Sequence, residues 1–215
     1  MNYKKRPILK AGTLFLFIFT VINFPLRAGV GVKEQSRGAL KAQYAKKAKS
    51  ESKAVKLVRK ELELRYDSLG ASYANKDLNG ILAVRTTDYI RHGPNGQIGN
   101  YAHMVDYYTA LIDSMAAPIQ FHKTILTVSA KDSEASVLVL QEFSRLQIKA
   151  EKLRKVESSA IEHESWVKRG TTWMVKLTDN VQDRRLFVEG KRVDPDKPYN
   201  PDDPPFVPDV KRPTR

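Results

Sequence analysis

Cysteine is absent from all 215 residues. That excludes a disulfide-stapled scaffold, a thiolate metal site, a cysteine nucleophile and a lipidated-cysteine anchor. It does not exclude an oxidising compartment, because a chain with 41% hydrophobic residues builds a core that needs no staples. Metal-ligand spacing is also missing: His92, His103, His122 and His163 are scattered, and no zincin helix motif occurs. There is no nucleophile elbow. Gly93, Gly96 and Gly99 do not make a phosphate loop, since Pro94 removes an N–H that such a cradle needs. No metal and no cofactor is therefore expected.

Acid is scarce only at the front. The whole chain carries a formal charge of +13, but residues 1–28 hold five bases and no acid, and residues 33–60 hold ten bases against Glu34 and Glu51. Residues 61–215 hold 22 bases and 22 acids, so the bulk of the protein is neutral. A global surplus would suggest nucleic acid. A surplus confined to one arm, with Tyr44 its lone aromatic, argues against a base-stacking surface and points to a local anionic partner, such as a membrane surface.

The first 28 residues read as a secretory signal. Lys4, Lys5, Arg6 and Lys10 precede an apolar run from Ala11 to Phe24, and Leu26-Arg27-Ala28 offers a cleavage site. The run is 14 residues, short of the ~20 that cross a bilayer as a helix. Export to the periplasm or medium is expected, with an uncleaved N-terminal anchor as the alternative.

Residues 29–54 form a basic Ala/Lys-rich arm, expected to be helical, with Ser50 and Ser52 as caps. From Val55 the apolar positions Val58, Leu62, Tyr66, Leu69 and Tyr73 follow in steps of three and four, one stripe of a helix ending near Asn75. A short helix over 77–84, a strand over 88–92, a turn at 93–96 and a helix capped by Asn100 come next. That last helix presents Met104, Tyr107, Tyr108, Leu111, Ile112 and Met115 as its buried face. Alternating runs then predict strands over 119–130, 135–149, 156–168 and 172–178, with a small hairpin over 184–193. Helices first and a meander afterwards imply α+β, with helices packed on an antiparallel sheet. The domain is placed at 55–193. Seven of the 11 prolines lie in the remaining segment, 194–215, which reads as a disordered tail; Tyr199 and Phe206 are its possible anchors on a partner or on the domain itself.

The order of these elements resembles the nuclear transport factor 2-like (NTF2-like) superfamily, also called cystatin-like, in its small bacterial SnoaL-like and ketosteroid isomerase-related branch. The resemblance covers about residues 55–180. It is carried by the helix with Tyr66 and Tyr73, by Asn75-Lys76-Asp77-Leu78-Asn79-Gly80-Ile81-Leu82, and by Asp88-Tyr89-Ile90-Arg91-His92-Gly93-Pro94-Asn95-Gly96. Ser165-Trp166 through Gly170 to Thr172-Trp173-Met174-Val175 looks like the family's last hairpin. The resemblance implies a cone, with helices closing a strongly curved sheet over an apolar cavity, and dimerisation through the sheet. Family members use the cavity for isomerisation, dehydration or cyclisation, or only to bind a ligand or partner.

In the isomerase branch, matching Asp77 and the Pro94–Gly96 turn sets the catalytic aspartate at about Gly93 and the helix tyrosine at about Leu69. Neither position carries its group. The candidate cavity residues are Tyr66, Tyr73, His92, Glu142 and Trp173. His92 would serve as a base near neutral pH, and Glu142 as a carboxylate beside an apolar strand. Tyr66 and Tyr73 would bring a hydroxyl to the cavity or simply pack in the core. The expected function is binding of a small apolar molecule or a protein partner by an exported homodimer. The alternatives are an isomerase, dehydratase or cyclase with a cavity base, and a membrane-tethered assembly protein.

Overall fold

The computed structural model describes residues 37–94, 96–149 and 151–207. The expected signal at 1–28, the start of the arm and the last residues of the tail lie outside them. Among the described residues, no helix is long and apolar enough to cross a membrane.

Four helices, α1 (Arg37–Lys49), α2 (Lys53–Ala74), α3 (Leu78–Leu82) and α4 (Tyr101–Asp113), accompany seven strands. The strands are β1 (Arg85–His92), β2 (Ile98–Asn100), β3 (Met115–Lys131), β4 (Glu134–Lys149), β5 (Lys152–Arg169), β6 (Thr172–Val188) and β7 (Lys191–Val193). They make one sheet in the order β2-β1-β6-β5-β4-β3, with β7 on β6. The meander β3 to β7 is antiparallel throughout, while β1 runs parallel to β6. That parallel pair is possible because α4 and the long meander intervene and bring the chain back in the same direction.

Sequence features account for the boundaries. The Ser52 hydroxyl accepts from the Val55 N–H at 3.3 Å and starts α2, and Leu62, Tyr66, Leu69 and Tyr73 form its buried stripe. Asn100 and His103 form a capping box at α4. Tyr107, expected on the buried face of α4, is instead 47% exposed, while Met104, Tyr108 and Ile112 are buried. The strand expected to end at 178 continues as β6 to Val188. Asn180 and Asp183 take positive φ within it, and its pairing with β5 shifts register there.

Strand register sorts the side chains into two faces. Phe121, Phe143, Val137, Glu162, Glu164 and Trp166 face the helices α2 and α4, forming the main core with Tyr66, Tyr73 and Tyr108. Leu126, Leu140 and Ile161 face the other way. Leu126 follows His122 and Thr124 outward by alternation, and the register shift between Ile125 and Thr127 then brings Val128 back to the inner face opposite Val137.

The outer face is where the basic arm lies. The arm is helical as α1, which ends at Lys49, and the chain turns at Ser50–Ser52 before α2. Its Leu40 and Tyr44 pack against Leu126, Leu138, Leu140 and Ile161. Lys41 pairs with Glu142 at 2.6 Å, and Arg37 donates to the Ser159 hydroxyl at 2.9 Å. Arg59 of α2 pairs with Glu51 and donates to the Ile125 carbonyl, which secures the break. The result is three layers: α1, the sheet, then α2 to α4. The described part of the tail also returns to the body. Tyr199 lies 5.2 Å from the Arg154 guanidinium, and the Phe206 N–H donates to the Arg192 carbonyl at 2.9 Å.

Candidate functional site

The space between the helices and the sheet is occupied by side chains, and its centre is a buried ion network. The Lys123 ammonium on β3 donates to Glu164 at 2.5 Å and to Glu162 at 3.1 Å, both on β5. Arg91 on β1 donates to the second oxygen of Glu162 at 2.8 Å. Glu164 also accepts from the Tyr66 hydroxyl at 2.5 Å and from the Trp166 indole N–H at 3.0 Å. Every carboxylate oxygen is therefore used. Beside this network Arg85 donates to the Ile81 carbonyl at 2.6 Å and the Tyr108 hydroxyl at 2.7 Å. Tyr73 stacks on Phe121 at 4.3 Å and meets Phe143 and Tyr108 at 5.2 and 6.1 Å.

The electrostatics follow from these contacts. Burial alone would raise the Glu162 carboxyl, but Arg91 and Lys123 outweigh it and hold it at about 2. Burial would lower the Lys123 ammonium, yet Glu164 and Glu162 raise it to about 12. Burial first, and the Glu164 charge second, push the Tyr66 hydroxyl well up. Catalytic acids and bases work best with a pKa near the operating pH. Glu162, Lys123 and Tyr66 are all driven away from it by burial and by their charged partners.

The five residues singled out from the sequence do not converge. Tyr66 and Tyr73 lie in the core as described. Trp173 is buried on β6, and its indole N–H donates to Glu61 on α2 at 2.6 Å. The Lys168 ammonium first, and that bond second, hold Glu61 below the usual carboxylate range. His92 and Glu142 both lie away from this interior: Glu142 is paired with Lys41 of α1, and His92 faces a groove on the outer side of the sheet. On β1 the inward residues are Tyr89, bonded to Thr178, and Arg91, which leaves its neighbour His92 pointing outward.

Two grooves open on the sheet. The first, about 710 Å³, runs over the edge strand β3 and is lined by Ala71, Ile119, Phe121, Phe143 and Phe187, with Glu142 and Ser159 among its polar members. The second, about 670 Å³, is lined by Ile90, His92, Ser136, Val167, Lys176 and Leu177. Ser136 belongs to a line of side chains that the sequence did not disclose. Its hydroxyl lies 2.7 Å from His163 Nε2, and His163 Nδ1 lies 2.7 Å from the Asp179 carboxylate. The alternation of Glu162, His163 and Glu164 places His163 opposite the two glutamates. Which residues of β4 and β6 would flank it depended on strand register, and no motif encodes that. Lys123 likewise gave no signal, standing between His122 and Thr124 in a strand where polar residues fall on both faces.

No family model and no curated protein matches this sequence. Solved structures do resemble it. A candidate scytalone dehydratase from Novosphingobium aromaticivorans superposes with a TM-score of 0.52 at 13% identity, covering 62% of this chain and 90% of that one. The chain has an NTF2-like fold. A cystatin-like protein of unknown function from Nostoc punctiforme gives 0.45 at 18% identity, over 61% of this chain and 94% of that one. A candidate dehydratase of the NTF2-like family from Streptomyces avermitilis gives 0.47 at 12% identity, over 55% and 92%. At such identities the likeness concerns this NTF2-like fold and not its chemistry.

Proposed function

We propose that this protein is an exported NTF2-like binding module that holds a small apolar guest, with no acid–base role for its interior. The observation that carries this reading is the contrast between its interior and its first groove. The interior is filled by a saturated ion network. The groove of about 710 Å³ combines an apolar side of Ala71, Ile119, Phe121, Phe143 and Phe187 with a polar side that includes His122, Glu142 and Ser159. Volume and chemistry both suit a small organic ligand. The enzyme reading that joins His92 or Glu142 to Tyr66 or Tyr73 in one cavity loses support, because both side chains lie on the far side of the sheet from the tyrosines; Glu142 lines the groove itself, paired there with Lys41. Export rests on the basic start and apolar run of residues 1–28, and the exposed Lys46 and Lys47 of α1 offer a surface for anionic lipid headgroups.

Native mass spectrometry of protein taken from its own cell envelope tests the proposal. The expected result is an added small-molecule mass that Ala71→Trp, which fills the groove, removes without lowering the melting temperature. Protein arriving bare, or an added mass unaffected by Ala71→Trp, refutes the groove as the site. The same spectra report whether the protein is the expected homodimer. Sequencing the mature amino terminus tests export by cleavage: a start at Gly29 or Val32 supports it, and an intact Met1 supports the tethered alternative.

A further inference from the structure

We propose that Ser136, His163 and Asp179 form an acyl-transfer centre on the outer face of the sheet, acting on esters of small carboxylic acids in the groove beside Ser136. It is separate from the guest groove and does not depend on it. The argument begins with geometry. A nucleophile, a base and an orienting carboxylate must stand in line, each within hydrogen-bond reach of the next. Ser136 Oγ to His163 Nε2 and His163 Nδ1 to Asp179 Oδ1 are both 2.7 Å. The three residues sit on three adjacent strands, with cross-strand registers Leu138–His163 and His163–Asp179. Hydrogen-bonded strands therefore set their spacing, with a register shift of β5 on β6 just before His163. The orientation is the productive one, because the carboxylate fixes a proton on Nδ1 and leaves Nε2 free to accept from the hydroxyl.

Access is present as well. Ser136 is exposed and lines the groove of about 670 Å³, while His163 and Asp179 are 31% and 28% exposed behind it. Ile90, Val167 and Leu177 give the groove apolar wall for an acyl or alcohol group. Ser136 pairs with Ser129 on one side and Ser165 on the other, so nearby amide N–H groups are committed to the sheet. The oxyanion must then be met by side chains. Lys131 and Lys176 line the same groove and supply positive charge, alongside Asp88 and Glu134.

The reaction balances with water alone. Ser136 Oγ forms a bond to the ester carbonyl carbon as its proton passes to His163 Nε2. Collapse of the tetrahedral adduct breaks the bond to the alcohol oxygen, which leaves with that proton and yields acyl-Ser136. Water then attacks the acyl carbon, giving its proton to Nε2. Ser136 Oγ departs and takes that proton back, so ester and water become acid and alcohol. Ser136 and His163 are catalytic in this scheme, and Asp179 is a positioning residue.

A fluorophosphonate probe on the full chain tests this, with the labelled residue located by tandem mass spectrometry and p-nitrophenyl acetate used to read turnover. The expected result is label on Ser136, above that on Ser129 and Ser165, and absent from denatured protein. His163→Ala should slow labelling by about 100-fold, within the range of general-base contributions. Asp179→Asn should slow it at least about tenfold while Asp179→Glu restores it, a pattern that loss of packing would not give. Equal labelling of the three serines, or an unchanged rate in His163→Ala, would overturn the proposal. Because the site is mapped in the wild-type chain, a poorly folding variant does not spoil the test.

Discussion

Glu164 receives three hydrogen bonds from three kinds of donor: an ammonium, a phenol and an indole. Such a residue is hard to foresee. Tyr66 and Tyr73 were legible, because their spacing on a helical stripe says that they are buried. Glu162 and Glu164 read as ordinary polar positions of an alternating strand, since their cations, Lys123 and Arg91, lie 39 and 71 residues away from Glu162 in sequence. Separations of 27 and 16 residues likewise hid Ser136 and Asp179 from His163. Removing one member of a buried ion pair leaves the other charged and unsolvated, so Lys123→Met should cost about 3–5 kcal/mol. Tyr66→Phe removes one bond to a charged acceptor and should cost less, about 1.5–3 kcal/mol. Urea titrations of the two variants check both the size and the order. A Lys123→Met protein as stable as wild type would mean that the network contributes nothing net.

The helix stripe, the cap at Ser52, the Asn100 cap and the first three long strands follow from local patterns and lie within a few residues of where the sequence placed them, while the fourth, expected to end at 178, runs on to Val188. The path of α1 does not follow. Its apolar residues Leu40 and Tyr44 are too few to form a stripe, and its docking depends on Leu126, Leu140 and Ile161 meeting on the outer face, which only the pairing of β3, β4 and β5 decides. Deleting residues 1–50 should bare Leu126, Leu140 and Ile161 together, and exposed apolar patches associate. Light scattering after size exclusion should then show a larger species than the full chain gives; an unchanged mass would show that α1 does not govern association. Gly70 makes the opposite kind of prediction. Alanine is favoured over glycine inside a helix by about 1 kcal/mol. A Cβ at position 70 would, however, lie 2.8 Å from the Phe121 carbonyl oxygen, a backbone atom of β3 that cannot step aside. Gly70→Ala should therefore lower the melting temperature, and a rise would mean that α2 slides freely on the sheet.

At the scale of the whole molecule, charge is the feature that sequence located best and explained least. The surplus does sit before residue 61, and the body is balanced. Sequence could not show that the arm's Arg37 and Lys41 are directed at Asp183 and Glu142, nor that the body's balance extends into its core. That internal balance sets a pH window. Glu162 is held at about 2 against an ordinary 4.5, so its contribution is present above 4.5 and is lost as pH falls through 2. Lys123 is raised to about 12 from an ordinary 10.5, so its contribution is present below 10.5 and is lost as pH rises through 12. Stability from the network should thus be flat across neutral pH and fall at both ends. The acid limb should amount to something on the order of 3 kcal/mol between pH 7 and pH 2 for Glu162. Guanidinium unfolding at a series of pH values measures it, and Glu162→Gln should be less stable at pH 7 yet lose less on acidification. If the variant and the wild type fall in parallel below pH 4.5, the buried carboxylate is not what acid attacks.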